Sequence, residues 1–193
     1  MPERSPSHPK QQLKPRILAL AFVGAGLVVL GVAAWAMLSY IKSPGDVELS
    51  AIPVHVAYPA PELILTDLQG NRVSLADYLG QVVLVNLWAT WCPPCKEEMP
   101  TLQKFFEVHR QGNFVVIAIE AGEPANEVSS FVQSQALTFP VWTDPTLQAT
   151  AVFRNPGLPS SYLIDARGTV RLAWAGAISL ENLERYVTPL LEE

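Results

Sequence analysis

The sequence predicts an α/β domain, a mixed β-sheet in three layers, preceded by one transmembrane helix. Three observations carry that expectation. Short β-branched runs alternate with helical stretches and close in a hairpin. A single uninterrupted apolar run, Ile17 to Leu38, stands near the N-terminus. The only two cysteines, Cys92 and Cys95, lie three apart where a buried strand passes into a helix.

The apolar run comes first in the chain. Its 22 residues hold no charged side chain, and as a helix at about 1.5 Å per residue they reach the thickness of a hydrocarbon core. Arg4, Lys10, Lys14 and Arg16 precede it against Glu3, while Lys42, Asp46 and Glu48 follow. The positive-inside bias therefore keeps residues 1–16 as a cytoplasmic basic tail, makes 17–38 a signal anchor and exports everything beyond Tyr40. Trp35 and Tyr40 fall where interfacial rings are favoured. The competing reading is a cleaved signal peptide, since Ala34-Trp35-Ala36 has the small-x-small form; both readings put the domain outside the cytoplasm. Residues 39–59, with Pro44, Gly45, Pro53 and Pro59, have the composition of a semi-extended linker, and residues 60–193 form the domain.

Of the whole chain 49% is apolar and 16% charged, which excludes general disorder. From Tyr58 to Glu193 there are 15 acidic and 8 basic side chains, so the domain lacks the basic surface that nucleic acid requires. Within it, Glu62 to Thr66 and Arg72 to Ser74 read as a small hairpin about Gly70-Asn71. Ser74 caps a short turn through Asp77 that ends at Gly80. Val82 to Trp88 is a strand buried on both faces, followed by a helix from Pro93 to Arg110, interrupted and kinked by Pro100. Asn113 to Glu120 is a strand, Glu127 to Gln135 a helix, Val141 to Thr143 a short strand and Thr146 to Phe153 a helix. Ser160 to Ile164 and Thr169 to Trp174 form a hairpin about Ala166-Arg167-Gly168, and a last helix runs from the cap at Ser179 to about Leu191.

The chemistry is concentrated in Trp91-Cys92-Pro93-Pro94-Cys95. Unpaired N–H groups and the macrodipole at a helix N-terminus favour an anion, so Cys92, at the cap, is the attacking thiolate and Cys95, one turn inside, resolves the mixed disulfide. A structural disulfide would constrain the unfolded chain little across so short a loop. A zinc site needs further ligands, and His8, His55 and His109 lie in the tail, the linker and the far end of a helix. Copper held by the cysteine pair stays open.

The segment Val82 to Pro100 resembles the active-site segment of TlpA/ResA-like thiol-disulfide oxidoreductases of the thioredoxin superfamily, in its redoxin/AhpC-TSA-like branch. The resemblance extends to Ala60-Pro61-Glu62 and Leu65 to Gly70 as the N-terminal hairpin, Leu137 to Val141 in a central αβ insertion, and Leu158 to Asp165 as a proline loop. It implies a thioredoxin-like three-layer sandwich, a redox-active Cys92-Cys95 disulfide with no cofactor and no metal, and an exported location. It further implies a reducing role, often in cytochrome c maturation, on disulfides of exported proteins, with a membrane thiol-disulfide transporter as electron donor. Pro159 stands where the superfamily has a cis-proline opposite the cysteines, and the backbone of Leu158 would pair with an extended substrate; Trp91, Pro93 and Pro94 complete the substrate lip. Asn86 occupies the position of a buried aspartate in thioredoxins proper and cannot move a proton. Glu98, at i+3 from Cys95, matches the family's acidic position and is a candidate to exchange protons with Cys95, against the reading of a solvated first-turn glutamate. Trp88 is expected to pack in the core and Glu123 to be a solvated loop residue. Phe153 to Gly157 departs from the family's shorter approach to the proline loop.

Two other function classes compete: a Cu(I) metallochaperone using the same thiolates, and a thiol peroxidase, for which Val85 and Ala89 replace residues that the peroxidatic motif needs. Proline has no N–H, so Pro93 and Pro94 remove donors that would solvate the Cys92 thiolate, which places the pair toward the reducing end. For topology the expected outcome is that protease added to intact spheroplasts digests the domain; protection there would contradict the charge-asymmetry argument, and soluble release with a new N-terminus near Met37 would favour the cleaved signal.

Overall fold

The structure, a computed structural model, describes residues 26–37 and 50–192. Residues 26–37 form a helix, α1. No helix among the described residues is long and apolar enough to cross a membrane; residues 17–25 and 38 of the expected span, the basic tail 1–16 and linker residues 39–49 lie outside them.

The chain divides into two compact units, residues 1–47 and 48–193, and the second is built on one eight-stranded sheet. In chain order its elements are β1 (Val54–Pro59), β2 (Ile64–Asp67), β3 (Arg72–Ser74), a 3-10 turn (Leu75–Tyr78), β4 (Val82–Trp88), α2 (Pro93–His109), β5 (Phe114–Ala121), α3 (Ala125–Ser134), β6 (Val141–Asp144), α4 (Gln148–Phe153), β7 (Ser160–Ile164), β8 (Thr169–Ala175), α5 (Leu180–Tyr186) and α6 (Thr188–Leu191). The strand order is β1-β8-β7-β4-β5-β6-β2-β3. The β4–β5 and β5–β6 pairs are parallel and the others antiparallel.

β4 is central because its sequence can be buried on both faces: all seven residues are buried, and Asn86 is its one polar member. Successive strand residues point to opposite faces. Asn86 and its neighbour Ser161 on β7 face Glu98 of α2, whereas Tyr162, one residue on, stacks on Phe153 of α4 at 4.2 Å. Helices therefore cover both faces, which makes the three layers. Trp88 is fully buried and packs on Phe131 of α3 at 5.1 Å, as expected of a core tryptophan.

The insertion of α3 and β6 widens the sheet and supplies β2 with a partner, so the β2–β3 hairpin is carried on β6. Gln103 of α2 clamps that insertion, donating from Nε2 to Thr138 Oγ1 at 2.8 Å and accepting from Thr138 N at 2.9 Å. The Ser74 capping box forms, with Ala76 N donating to Ser74 Oγ and Ser74 N to Asp77 Oδ2. At the β7–β8 turn, Gly168 has φ +81°, a conformation side chains rarely adopt, and Asp165 accepts from the amides of Arg167 and Thr169.

Two expectations change. Linker residues 54–59 are a strand, β1, that pairs antiparallel with β8, and Ala60 N donates to Gly168 O at 2.8 Å. β1 is an edge strand exposed on most positions, so its attachment is through the backbone and leaves little alternation in the sequence. The final helix is two, α5 and α6, broken at Val187. Pro189 explains the break: it lacks an N–H, and its ring collides with the carbonyl four residues back.

Leu84, fully buried in β4, is the sensitive position. Leu84→Ala is expected to destabilise by about 2–5 kcal/mol, and Val108→Ala, on an exposed side of α2, by less than about 0.5 kcal/mol, both read from urea midpoints at unchanged slope.

Candidate active site

β4 ends at Trp88, and the loop Ala89-Thr90-Trp91 delivers Cys92 as the N-cap of α2. The Cys92 amide donates back to Ala89 O at 3.2 Å, which turns the chain into the helix. Pro93 and Pro94 occupy the first two helical positions, where a missing N–H is tolerated. The first amide able to reach the capping sulfur is then that of Cys95, at 3.3 Å from Cys92 Sγ. The two cysteines are joined in a disulfide with an S–S distance of 2.08 Å. Cys92 is 4% exposed and Cys95 fully buried, while Trp91 beside them is 65% exposed.

The residues expected to form a substrate lip differ in exposure. Pro93 and Pro94 are exposed, Leu158 is half-buried and Pro159 buried. The Leu158–Pro159 peptide is cis. Because β7 starts at Ser160 opposite Leu87, the proline loop lies at the end of the sheet where β4 gives way to the cysteine loop. Pro159 O accepts from Gly176 N at 2.8 Å, tying that loop to the chain between β8 and α5. Ahead of it, the long approach Phe153 to Gly157 holds Arg154 in a left-handed conformation and closes with Gly157 N on Asn155 Oδ1 at 2.9 Å.

Glu98 is not a solvated glutamate. It is 2% exposed, with one oxygen accepting from Asn86 Nδ2 at 3.0 Å and the other from the Ile178 amide at 3.1 Å. Burial pushes its carboxyl from the ordinary 4.5 up to about 7, with the Ile178 and Asn86 hydrogen bonds acting in the opposite direction. A cavity of about 390 Å³ opens beside it, lined by Pro94, Thr101, Gly176, Ile178 and Ser50 among others. Asn86 also donates to Ser161 Oγ at 3.0 Å, so it acts as a tether for the carboxyl.

Glu123 departs from expectation. It is half-buried and binds the cysteine loop, accepting from Thr90 N at 2.6 Å and from Thr90 Oγ1. Behind it lies Glu120, fully buried near the end of β5 and accepting from Glu123 N at 3.0 and 3.2 Å. Burial, and then the side-chain hydrogen bond with Glu123, push Glu120 up to about 8. Partial burial pushes Glu123 upward, but the bonds from Thr90 and Glu120 outweigh it and hold it below the usual range. The available sequence signal was a charged residue inside the otherwise apolar run Phe114–Ala121, since such residues are almost never fully buried without a partner.

A family profile described as the AhpC/TSA family matches residues 56–173, more than half of the chain. The chain belongs to the AhpC/TSA family. Among AhpC/TSA-like relatives, it is 35% identical over 134 residues to the thiol-disulfide oxidoreductase ResA of Geobacillus kaustophilus, covering 69% of this chain and 77% of that one. It is 34% identical over 134 residues to ResA of Bacillus anthracis, covering 69% and 78%. A solved thiol:disulfide interchange protein of the thioredoxin family from Chlorobium tepidum superposes with a TM-score of 0.64 at 28% identity, covering 72% of this chain and 99% of that one. StoA from Bacillus subtilis, at 24% identity and a TM-score of 0.58 over 68% and 99%, shares the fold. With its closed cysteine pair, this AhpC/TSA-family chain is a ResA-like disulfide oxidoreductase of the thioredoxin superfamily.

In this AhpC/TSA-family protein the buried acids set a pH dependence of stability. A carboxyl whose folded value is raised binds more protons folded than unfolded between the two values, so stability falls as pH rises from about 4.5 through about 7 for Glu98 and on to about 8 for Glu120. The Glu98 part amounts to at most about 3–4 kcal/mol, of which roughly 2–3 kcal/mol falls between pH 5 and pH 8. Urea unfolding at pH 5 and pH 8 is expected to show this loss in the wild type and a flatter dependence in Glu98→Gln; equal slopes would contradict it.

Proposed function

We propose that the protein is a membrane-anchored, extracytoplasmic thiol-disulfide oxidoreductase that reduces disulfides in exported proteins through Cys92 and Cys95. The observation that carries the reductive direction is the donor set at the capping sulfur: with prolines at both first helical positions, the Cys95 amide is the hydrogen bond that Cys92 receives from the turn. A weakly solvated thiolate makes the dithiol a better electron donor, because a strongly oxidising pair is one whose reduced form is stabilised.

In the proposed reaction the Cys92 thiolate attacks one sulfur of the substrate disulfide, forms a mixed disulfide and expels the other substrate sulfur as a thiolate. Cys95 then gives up its proton and attacks Cys92 Sγ. This closes the Cys92–Cys95 disulfide and releases the second substrate thiolate, so two electrons pass to the substrate. Glu98, a helical neighbour at i+3 with a carboxyl raised to about 7, is matched to take that proton near neutral pH. Trp91, Pro93 and Pro94 on one side and Leu158 and Pro159 on the other form the lip on which an extended substrate lies.

The apolar run from Ile17 to Leu38 and the basic residues before it support tethering, with the domain facing the extracytoplasmic side. A tethered reductase needs re-reduction, which a membrane dithiol donor would supply. An exported apocytochrome, whose haem-attachment cysteines must be reduced, is the substrate class that the family resemblance favours.

Two measurements test this reading. Brief iodoacetamide treatment of the reduced protein is expected to label Cys92 before Cys95; the reverse order would overturn the assigned roles. Reduction of insulin disulfides is expected to vanish in Cys92→Ser and Cys95→Ser. Copper retention without thiol turnover would instead indicate a metallochaperone, and peroxide turnover without disulfide reduction a thiol peroxidase.

A further inference from the structure

We propose that Glu120 is a positioning residue of the thiol-disulfide reaction: acting through Glu123, it holds Thr90 and so fixes the loop that carries Trp91 and Cys92. The inference rests on Cys92 being the attacking sulfur.

Glu120 pairs in register with Trp88 of β4 and Thr143 of β6. It therefore stands at the C-terminal ends of the three parallel strands, where the cysteine loop leaves the sheet. Its side chain is completely buried, a placement that an apolar residue would fill at lower free-energy cost. The charged groups that face it are both acidic, Glu123 from the loop after β5 and Asp144 from the end of β6. Asp144 is engaged elsewhere, accepting from Gln148 N at 2.9 Å and Ala149 N at 2.7 Å at the head of α4. Two ionised carboxylates in contact would repel, so the Glu120–Glu123 pair retains one proton, held on Glu120, which donates to the Glu123 carboxylate. Its raised value, about 8, agrees with that arrangement.

The chain of contacts then runs outward. Glu123 N returns a hydrogen bond to Glu120, and the Glu123 carboxylate receives both the amide and the hydroxyl of Thr90. Thr90 lies two residues before Cys92, whose own amide is bound to Ala89 O. The short loop is thereby closed on itself by the Cys92–Ala89 bond and held from outside at Thr90 by Glu123. Hydrogen bonds to a charged acceptor are the stronger kind, and positional errors at a reacting atom are felt strongly in rate.

The test uses the full-length reduced protein at pH 7, with two rates read together: iodoacetamide labelling of Cys92 by peptide mapping, and reduction of insulin disulfides. Glu120→Ala is expected to lower both roughly tenfold, the factor carried by one hydrogen bond to a charged group. Thr90→Val keeps the amide bond and loses the hydroxyl one, and is expected to lower both about threefold. The double variant should be no slower than Glu120→Ala, because the two residues act through one contact chain. Glu120→Gln, whose amide still donates to Glu123, should restore most of the rate. It should also lack the decline that the wild type shows above about pH 8, when Glu120 ionises; Glu98 and the cysteines titrate in both proteins, so the difference between the profiles belongs to Glu120. Wild-type rates in a folded Glu120→Ala, a Glu120→Gln as slow as Glu120→Ala, or additive effects of the two sites would each overturn the proposal. If Glu120→Ala fails to fold, Thr90→Val and the pH profile of Glu120→Gln decide the matter. Faster labelling of Cys95 would reject the attacking role of Cys92, while the insulin rates would still measure the contribution of Glu120.

Discussion

The two-point attachment of the Glu98 carboxyl is the interaction on which the rest of the site depends. One oxygen is held from the middle of β4 by Asn86, the other from the segment before α5 by the Ile178 amide. Because Glu98 is one turn into α2, that attachment fixes the helix whose N-cap is Cys92 against both the central strand and the C-terminal part of the fold. Burying a carboxyl is unfavourable unless its oxygens find donors. Here the donors come from elements distant in sequence, so the site forms only when the sheet has formed.

A second buried acid stands behind the other end of the same loop. Glu98 lies beneath the start of the helix, and Glu120 reaches the residues before Cys92 through Glu123 and Thr90. The proton affinities of both carboxyls have been raised by burial into the neutral range. When ionised, Glu98 at i+3 from Cys95 disfavours a second negative charge there, whereas Glu120 keeps its proton at pH 7 and acts through Glu123. Under the proposed function, Glu98 and the two prolines at the head of α2 would together favour the disulfide and the giving of electrons.

Much of this was legible in the sequence, where local chemistry dictates local structure. The continuous apolar run of β4, the strand-to-helix position of the cysteines, the Ser74 and Ser179 caps and the β7–β8 hairpin all follow from patterns within a few residues. β1 was hidden because an exposed edge strand is held by backbone pairing and needs no hydrophobic alternation. The break between α5 and α6 was written in Pro189 but masked by the apolar residues around it. Glu98 could be placed on the same helix face as Cys95 by spacing, yet its burial, which changes its proton affinity, depends on Asn86, Ser161 and Ile178 arriving together. Glu123 was misread for a related reason: its partners are Thr90, 33 residues away, and a strand residue whose burial no local pattern announces.

On the proposed function this helix N-terminus, stripped of two amide donors and backed by Glu98, makes the cysteine pair a reductant. The direct measurement is the reduction potential of the Cys92–Cys95 couple, obtained by equilibrating the domain against a graded series of reduced and oxidised glutathione at pH 7. A value near that of thioredoxin, about −270 mV, is expected. A value near that of a strong periplasmic oxidant, about −120 mV, would contradict it and make the protein a disulfide donor.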